Sequence, residues 1–532
     1  SSLQERSAAG VTSPVPRQQD YTWTQDAVGN PYVASVVTTL DGGSPDARQS
    51  KAAQTLDIHG NLTQVQQFDY GNLTTPARIY NSTYLTDPNY TSRYIHNRLV
   101  STTVSLGDGS GVVSLVSNKY DGQNDGTCSS VGLVEAKDLA PPPFSQHDAS
   151  YNAYFIYRGN VKQSKQFGLP WICQYYDVTG VVVSATDRVR SITITPTANN
   201  AVPGIITPGG NSNLATTAGY DIALHLTSLL VPNGAQGTSE YASSGLLSKT
   251  KSYHGAETNY RYTFNPNTVT ATTNTHWTRK TLDGFGREVQ TEAGYLNGSA
   301  EVTTSIQTTT YGPCACSPLG KPVSVSQPYA PGATNIYYTV THYDALGRTT
   351  STVSPDGAST TTYSYAGNTT TVTDPAGHWK MFTRDAMGNL TAVTEPNPAG
   401  GANWTTSYTY DAPNRLTLVS MPRGSSTQTR TFTYEDTRIR TATNPESGTV
   451  TYTYNSDTTL ATKVDANGNH LHYWYDTMGR LSKITVGDSQ AAEYAFSYDS
   501  PSQNAYGRLA AVSFGGYSWI YSYTPGGLVS SK

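Results

Sequence analysis

The chain has 532 residues, of which 14% are charged, and 34 Lys and Arg against 38 Asp and Glu leave a net charge of -4. A near-neutral balance without clustered Lys and Arg excludes the electrostatic footprint of a nucleic-acid or phosphate binder, and no apolar run of about 18 residues is available for a membrane-spanning helix. With 39 Tyr against 10 Phe, 47 Gly, 29 Pro, and Thr and Ser throughout, the composition is that of strands and turns rather than of helices or disorder.

Taken in chain order, the first turn signals are "QDAVGN" at 25–30 and "LDIHGN" at 56–61, each following a strand-like run. The next stretch carries Cys128 and Cys173 on either side of the Pro-rich segment "APPPFSQHD". From about residue 215 the pattern becomes regular. Asn233-Gly234 and His254-Gly255 each separate two runs rich in Thr, Ser and Tyr, and "LDGFGR" at 282–287 follows. After Cys314 and Cys316 come "YDALGR" (Tyr343, Asp344, Gly347, Arg348), Asp356-Gly357, "RDAMGN" at 384–389 and "YDAPNR" at 410–415. Ser447-Gly448, Asn467-Gly468 and "YDTMGR" (Tyr475, Asp476, Gly479, Arg480) complete the series. The tyrosines that close the strands step with it. Tyr220, Tyr241 and Tyr262 are 21 apart, and Tyr410, Tyr434, Tyr454, Tyr475 and Tyr498 follow at 24, 20, 21 and 23.

Such self-similarity marks a repeat array rather than the three or four separate domains, roughly, that the length would otherwise suggest. An Asp-Gly such as Asp356-Gly357 between alternating runs predicts a type I′ hairpin turn, in which both central residues need positive φ. In the second signature, Asp is expected to bond to backbone N–H groups two residues on, with Gly (or Asn414) in the left-handed position. The aromatic before Asp is expected to be largely buried and to stack on its counterpart in the next unit, as at Tyr410, Tyr454 and Tyr475. In "TVTYTYN", Val450, Tyr452 and Tyr454 share one face and Thr449, Thr451 and Thr453 the other. A lone hairpin of this kind is marginal in water. The predicted fold is therefore all-β: one continuous antiparallel sheet of hairpins winding into a solenoid- or cocoon-like shell, with a divergent region at 1–214 and the repeat array proper at 215–532.

The serial "YDxxGR…PDG…YxY" units, with "CACSPLGK", "EPNPAGG" and "NPESGTVTYTYN", resemble the YD-repeat, or Rhs (rearrangement hotspot), family of large bacterial proteins, strongly from about residue 215 onward and loosely before it. The resemblance implies a long β-sheet coiled into a hollow shell, secreted or displayed at the cell surface, that in many members encloses a C-terminal toxin released by self-cleavage. Self-cleaving members end the shell with a "DPxGL"-type segment bearing catalytic aspartates. Here "YTPGGLVSSK" only partly echoes it, so the chain is expected to be a fragment of a longer precursor or a short member without a payload. Asp374-Pro375-Ala376-Gly377 looks like that segment but occupies an ordinary turn slot, and no catalysis is assigned to it.

Other chemistry finds little support in the residues. Cys314 and Cys316 lack the further ligands and the recurrent spacing of a zinc site, so no metal or cofactor is expected. If the protein is exported, Cys128 and Cys173 are disulfide candidates. Cys314 and Cys316 are the weaker pair of candidates, because residues two apart on a strand share a face but strain a bridge. No nucleophile elbow or phosphate loop is present, which predicts a non-enzyme. At least eight N-x-S/T sequons, including Asn61, Asn72, Asn81, Asn89 and Asn403, hint only at surface exposure. Trp23, Trp404, Trp474 and Trp519 are read as packing aromatics before sugar platforms. The expected role is structural, enclosing or displaying a cargo such as a C-terminal toxin or another segment of the same precursor. The rival is an adhesion or self-assembly module that binds glycans, partner proteins or its own copies through open sheet edges.

Overall fold

The structure, a computed structural model, describes residues 2–5, 15–121, 128, 155–187, 189–197, 200–314, 316–487 and 493–532. The Pro-rich segment at 140–148 lies outside the described residues.

Thr-, Val- and Tyr-rich runs, closed repeatedly by Gly or Asn turns, leave the chain little choice but to pair each run with the next. Strand Tyr338–Tyr343 pairs with Thr349–Val353, that with Thr360–Ala366, and that with Thr369–Thr373, all antiparallel. Continued along the chain, this pairing joins 40 strands into one antiparallel sheet among the described residues. The α-helix Pro88–Thr91 is four residues long, started by Asp87, whose side chain accepts from the Asn89 N–H. Among the described residues no helix is long and apolar enough to cross a membrane.

The chain divides into two compact units, each assembled from distant segments. The first contains residues 1–81, 104–112 and 257–429; the second contains 82–103, 113–256 and 430–532. Both the divergent region and the repeat array thus contribute to each unit. In the first unit, early turns meet late ones. The Gly367 N–H donates to Asp41 (2.6 Å), the Ala386 N–H to Asp69 (2.8 Å), and Arg78 to the Asp411 carbonyl (2.8 Å). In the second unit, Asn233 and Tyr506 exchange two bonds, Nδ2 to the Tyr506 carbonyl (3.1 Å) and the Tyr506 N–H to Oδ1 (2.9 Å). Such contacts set the sheet of each unit against itself, turn to turn.

Fully buried apolar side chains are few, and most strand residues are half-buried. In the second unit Leu85, Tyr90 and Tyr120 form a cluster under Ile95, Val100, Tyr157 and Val161. In the first, Trp277 is fully enclosed opposite Gly294, and its indole N–H donates to the Tyr295 carbonyl (3.2 Å). The hydroxyl face pairs with itself. Thr433 faces Thr441 (2.6 Å), Thr443 faces Thr449 (2.8 Å) and Thr453 faces Thr462 (2.7 Å) across neighbouring strands. Each cross-strand pair of this kind contributes about 0.2–1 kcal/mol.

Candidate functional site

The most repeated arrangement of chemistry-bearing residues is the turn after each closing tyrosine. In 476–480 the Asp476 carboxylate accepts the N–H groups of Met478 (2.9 Å) and Arg480 (2.9 Å) through one oxygen, and Arg480 Nε (2.8 Å) through the other. The same geometry recurs at Asp344 with Leu346 and Arg348, and at Asp283 with Phe285 and Arg287. Asn replaces Arg in the variants Asp57–Asn61, Asp385–Asn389 and Asp465–Asn469, with the amide Nδ2 as donor. His225 and His378 place Nδ1 against Asp221 (2.9 Å) and Asp374 (3.1 Å). The backbone closes as a tight turn, the Gly479 N–H on the Asp476 carbonyl (2.9 Å) and the Asp476 N–H on the Arg480 carbonyl (2.9 Å), with Gly479 at φ 72°. This is a three-residue loop ending in a left-handed residue, with the strand register shifting beside it between Trp474 and Tyr475.

The bonds hold these carboxylates ionised. The Asp283 carboxyl lies below its ordinary value, chiefly through the Arg287 side chain, and that of Asp465 through the Asn469 side chain. At Asp476, burial acts to raise the value, but the Arg480 N–H, the Arg480 side chain and the Met478 N–H outweigh it.

Arg480 then reaches beyond its own turn. Its guanidinium lies 4.3 Å from the ring centroid of Tyr498, the closing tyrosine of the following unit, and donates to Asp499 (2.6 Å). The Tyr498 hydroxyl donates to the carbonyl of Leu481, the residue directly after Arg480 (2.9 Å). Arg348 repeats this under Tyr365 at 4.1 Å, with the Tyr365 hydroxyl on the Thr349 carbonyl (2.8 Å). Arg438 repeats it under Tyr454 at 4.8 Å, with the hydroxyl on Ile439 (2.8 Å). Lys321 does so under Tyr343 at 4.9 Å, with the hydroxyl on Pro322 (2.9 Å). Tyr410 keeps the hydroxyl bond, to Leu390 (2.9 Å), where the turn carries Asn389. Burial is the largest cause that raises the hydroxyls of Tyr365, Tyr410, Tyr454, Tyr475 and Tyr498 above the usual tyrosine value.

Two expectations are corrected by this geometry. Tyr410, Tyr454 and Tyr475 are half-buried, but the expected stacking of tyrosine on tyrosine is not what holds Tyr454. The ring of Tyr454 packs on a cation and not on another tyrosine, because the residue after the preceding turn projects onto the same face of the sheet. At Asp356-Gly357 only the glycine has positive φ (71°), so the turn is not type I′. Asp356 instead accepts the N–H groups of Ala358 (3.0 Å) and Ser359 (2.8 Å). The sequence reading does not reach the role of the residue four after Asp, although Arg, Asn or His in that slot of many units is a visible signal.

Asp374 of the "DPAG" segment accepts the N–H groups of Ala376 (2.9 Å) and His378 (2.8 Å), the same turn chemistry as its neighbours. Cys128 is bridged to Cys173, and Cys314 to Cys316, with Cα atoms 5.8 and 5.1 Å apart. Among the described residues no group of three or more His, Cys, Asp or Glu is placed to hold a metal ion. Trp23, Trp474 and Trp519 are exposed. Lys483 lies over Trp474 (4.6 Å), Lys532 over Trp519 (4.5 Å) and Arg423 over the half-buried Trp404 (4.8 Å).

Residues 343–378, which hold one such turn and the hairpin after it, match the RHS Repeat family. No curated protein matches the sequence. Among solved structures, the chain is similar to the crystal structure of TcdB2-TccC3-Cdc42 (TM-score 0.70, 12% identity), over 97% of this chain and 36% of that one. TcdB2-TccC3 without its hypervariable C-terminal region aligns at TM-score 0.68 and 12% identity, over the same 97% and 36%. The Tc holotoxin pore of Photorhabdus luminescens gives 0.68 and 12%, again over 97% and 36%. The chain therefore spans about a third of the length of the solved chains it matches, and at this identity the likeness concerns the fold.

Proposed function

We propose that this chain, a YD-repeat protein of the Rhs type, works without catalysis as a wall segment of a secreted or surface-exposed shell that encloses or displays a polypeptide cargo. The observation that supports this best is the fold likeness at TM-score 0.70 across 97% of the chain to a structure of TcdB2-TccC3, a toxin-complex protein. The turn chemistry supports it too. The turn Asp residues close their own hairpins, and Arg348, Arg438 and Arg480 with Tyr365, Tyr454 and Tyr498 hold one hairpin to the next, which is what a wall requires. The cargo is expected to be a C-terminal toxin or another segment of the same precursor.

A test is limited proteolysis of the complete gene product containing this chain. A non-repeat segment should resist protease while the sheet is folded and become sensitive once the sheet is denatured. Digestion of every non-repeat segment at the rate of free peptide, with the sheet intact, refutes enclosure. Spontaneous cleavage at an internal Asp of the purified chain refutes the non-catalytic reading.

A second reading, assembly through sheet edges, is favoured by strand Tyr517–Ile520. Among the described residues it pairs only with Leu509–Phe514, and it exposes Tyr517, Trp519 and Ile520. Such an edge offers backbone groups to another strand. Concentration-dependent association that ends on substituting Ile520→Lys supports it.

A further inference from the structure

The two disulfides of the chain have opposite settings. Cys128–Cys173 joins residues 45 apart, and both cysteines are buried, at 5% and 1% exposure. Cys314–Cys316 joins residues two apart at the tip of a hairpin in the first unit, and Cys316 is exposed. A bridge stabilises a fold mainly by restricting the unfolded chain, and a separation of two residues leaves little to restrict. The hairpin does not depend on it either. Strands Ala300–Cys314 and Ser317–Ser326 are paired to the tip, where Cys314 stands opposite Ser317. An exposed bridge that staples so little is placed for reactivity, since exposed disulfides are the labile ones.

The surroundings give the two sulfurs different parts. The Cys316 N–H donates to Cys314 Sγ (3.2 Å), so negative charge that develops on Cys314 meets a donor already in place. Cys314 is also the less exposed of the two. Cys316 Sγ packs against Gly347 of the turn at 343–348, in space that a Cβ there would occupy, and Lys321 Cε borders the same space, 3.2 Å from that Cβ position. The Lys321 ammonium donates to the Gly347 carbonyl (2.6 Å), an uncharged acceptor, and so keeps a positive charge beside Cys316. Positive charge there attracts an anionic sulfur.

We propose that Cys314–Cys316 is a thiol–disulfide exchange site, with Cys316 the sulfur that an incoming thiolate attacks and Cys314 the sulfur that leaves. The incoming sulfur forms a bond to Cys316 Sγ and the bond between the two cysteine sulfurs breaks. Its electron pair goes to Cys314 Sγ, which takes a proton from water. The step reverses when the Cys314 thiolate attacks the mixed disulfide, expels the guest thiolate and closes the bridge. One disulfide replaces another in each direction, so no outside oxidant or reductant enters. The thiolate belongs to a small thiol or to a cysteine of another polypeptide. This chemistry is independent of the wall role.

The test uses the whole oxidised chain, incubated with glutathione, quenched with N-ethylmaleimide and mapped by mass spectrometry. Glutathione should be found on Cys316 and N-ethylmaleimide on Cys314, and this bridge should open at least about 100-fold faster than Cys128–Cys173. Cys314→Ser, treated with oxidised glutathione, should retain the adduct on Cys316, because the sulfur that expels it is gone. Cys316→Ser should acquire an adduct on Cys314 at least about tenfold more slowly. Lys321→Gln should slow anionic glutathione about threefold without slowing cationic cysteamine. Equal slowing of both overturns the part given to Lys321. A cysteine-bearing unfolded peptide, tested beside glutathione, separates the two sources: exchange with it includes polypeptide cysteines, and its failure confines the site to small thiols. Free thiols at Cys314 and Cys316 in protein purified without reductant overturn the proposal. So does opening no faster than that of Cys128–Cys173, or an adduct chiefly on Cys314.

Discussion

Asp476→Ala removes the acceptor of the Met478 and Arg480 N–H groups and of Arg480 Nε in one step. The two backbone bonds resemble a helix N-cap, whose loss costs about 1–2 kcal/mol. The ion pair between side chains that are 24% and 25% exposed adds no more than about 0.5 kcal/mol after solvent screening. The guanidinium is also released from one of its two anchors, which loosens its stacking on Tyr498. The expected total is about 2–3 kcal/mol, and Asp476→Asn, which keeps a neutral acceptor, should cost about 1 kcal/mol. Because neighbouring repeats stabilise one another and unfold in parts, native-state hydrogen exchange is the better assay than a single global transition. Backbone amides of 476–481 and of the strand Tyr494–Tyr498 should exchange about 30-fold faster in Asp476→Ala, while those around Asp344 stay unchanged. The combination with Tyr498→Phe should deviate from additivity by at least about 0.5 kcal/mol, since Arg480 links the two sites. A change below about 0.5 kcal/mol for Asp476→Ala, or strict additivity of the pair, would show that the repeats do not communicate through the turn arginine.

Gly479→Ala should cost at least about 2 kcal/mol by thermal denaturation, since φ is 72° and a Cβ would come within 2.7 Å of Arg190. Gly468→Ala, at φ 81° with open space around it, should cost only about 1 kcal/mol; equal effects would refute the distinction. Tyr454→Phe should cost about 1 kcal/mol by loss of the bond to the Ile439 carbonyl, and Tyr454→Ala more, because the Arg438 face is lost as well. The carboxyls of Asp283, Asp465 and Asp476 lie below the usual 3.8, so their contribution is fully present above that pH and is lost as pH falls through their lower folded values. An acid-unfolding curve that is flat from about pH 5 to pH 2 would contradict that linkage. Cys128→Ser should lower stability by about 4 kcal/mol, the entropy of a loop closed across a separation of 45 residues; free thiols at Cys128 and Cys173 in non-reduced protein would remove the effect.

The hairpin array and its turns were legible because they are local. An Asp that bonds to the N–H groups two and four residues on, and a Gly with positive φ after it, are decided within five residues, as at 344–348 and 476–480. The two misreadings were of different kinds. Asp356-Gly357 was assigned the turn that the dipeptide favours in short hairpins. The side chain of Asp356 bonds forward to Ala358 and Ser359, and this stabilises a longer loop with one left-handed residue. The regular spacing of the tyrosines predicts that they stack on one another, but spacing does not say what faces them. The partner of Tyr498 is set by strand register, which puts Arg480 under the ring and the Leu481 carbonyl at the hydroxyl. The contacts that assemble each unit from distant segments, such as Asp41 with Gly367 or Asn233 with Tyr506, were not legible at all, since separations of 326 and 273 residues leave no local pattern.

The same geometry explains why a chain so poor in apolar residues folds as a sheet. Hydrophobic residues make up 36% of the sequence, and the fully buried apolar side chains are few. Cohesion therefore rests on backbone pairing and on the polar couplings between turn and tyrosine, repeated unit after unit. Each coupling is worth only about 1–3 kcal/mol, and each involves immediate neighbours along the array, so stability grows with the number of units rather than with the volume of a core. A sheet held in this way can be wide and thin, with the Thr face closed by its own hydroxyl pairs instead of demanding a second layer. That is the physical property the proposed wall role needs. It also locates the weak points, because a single broken turn uncouples two neighbours while the units beyond them keep their own bonds.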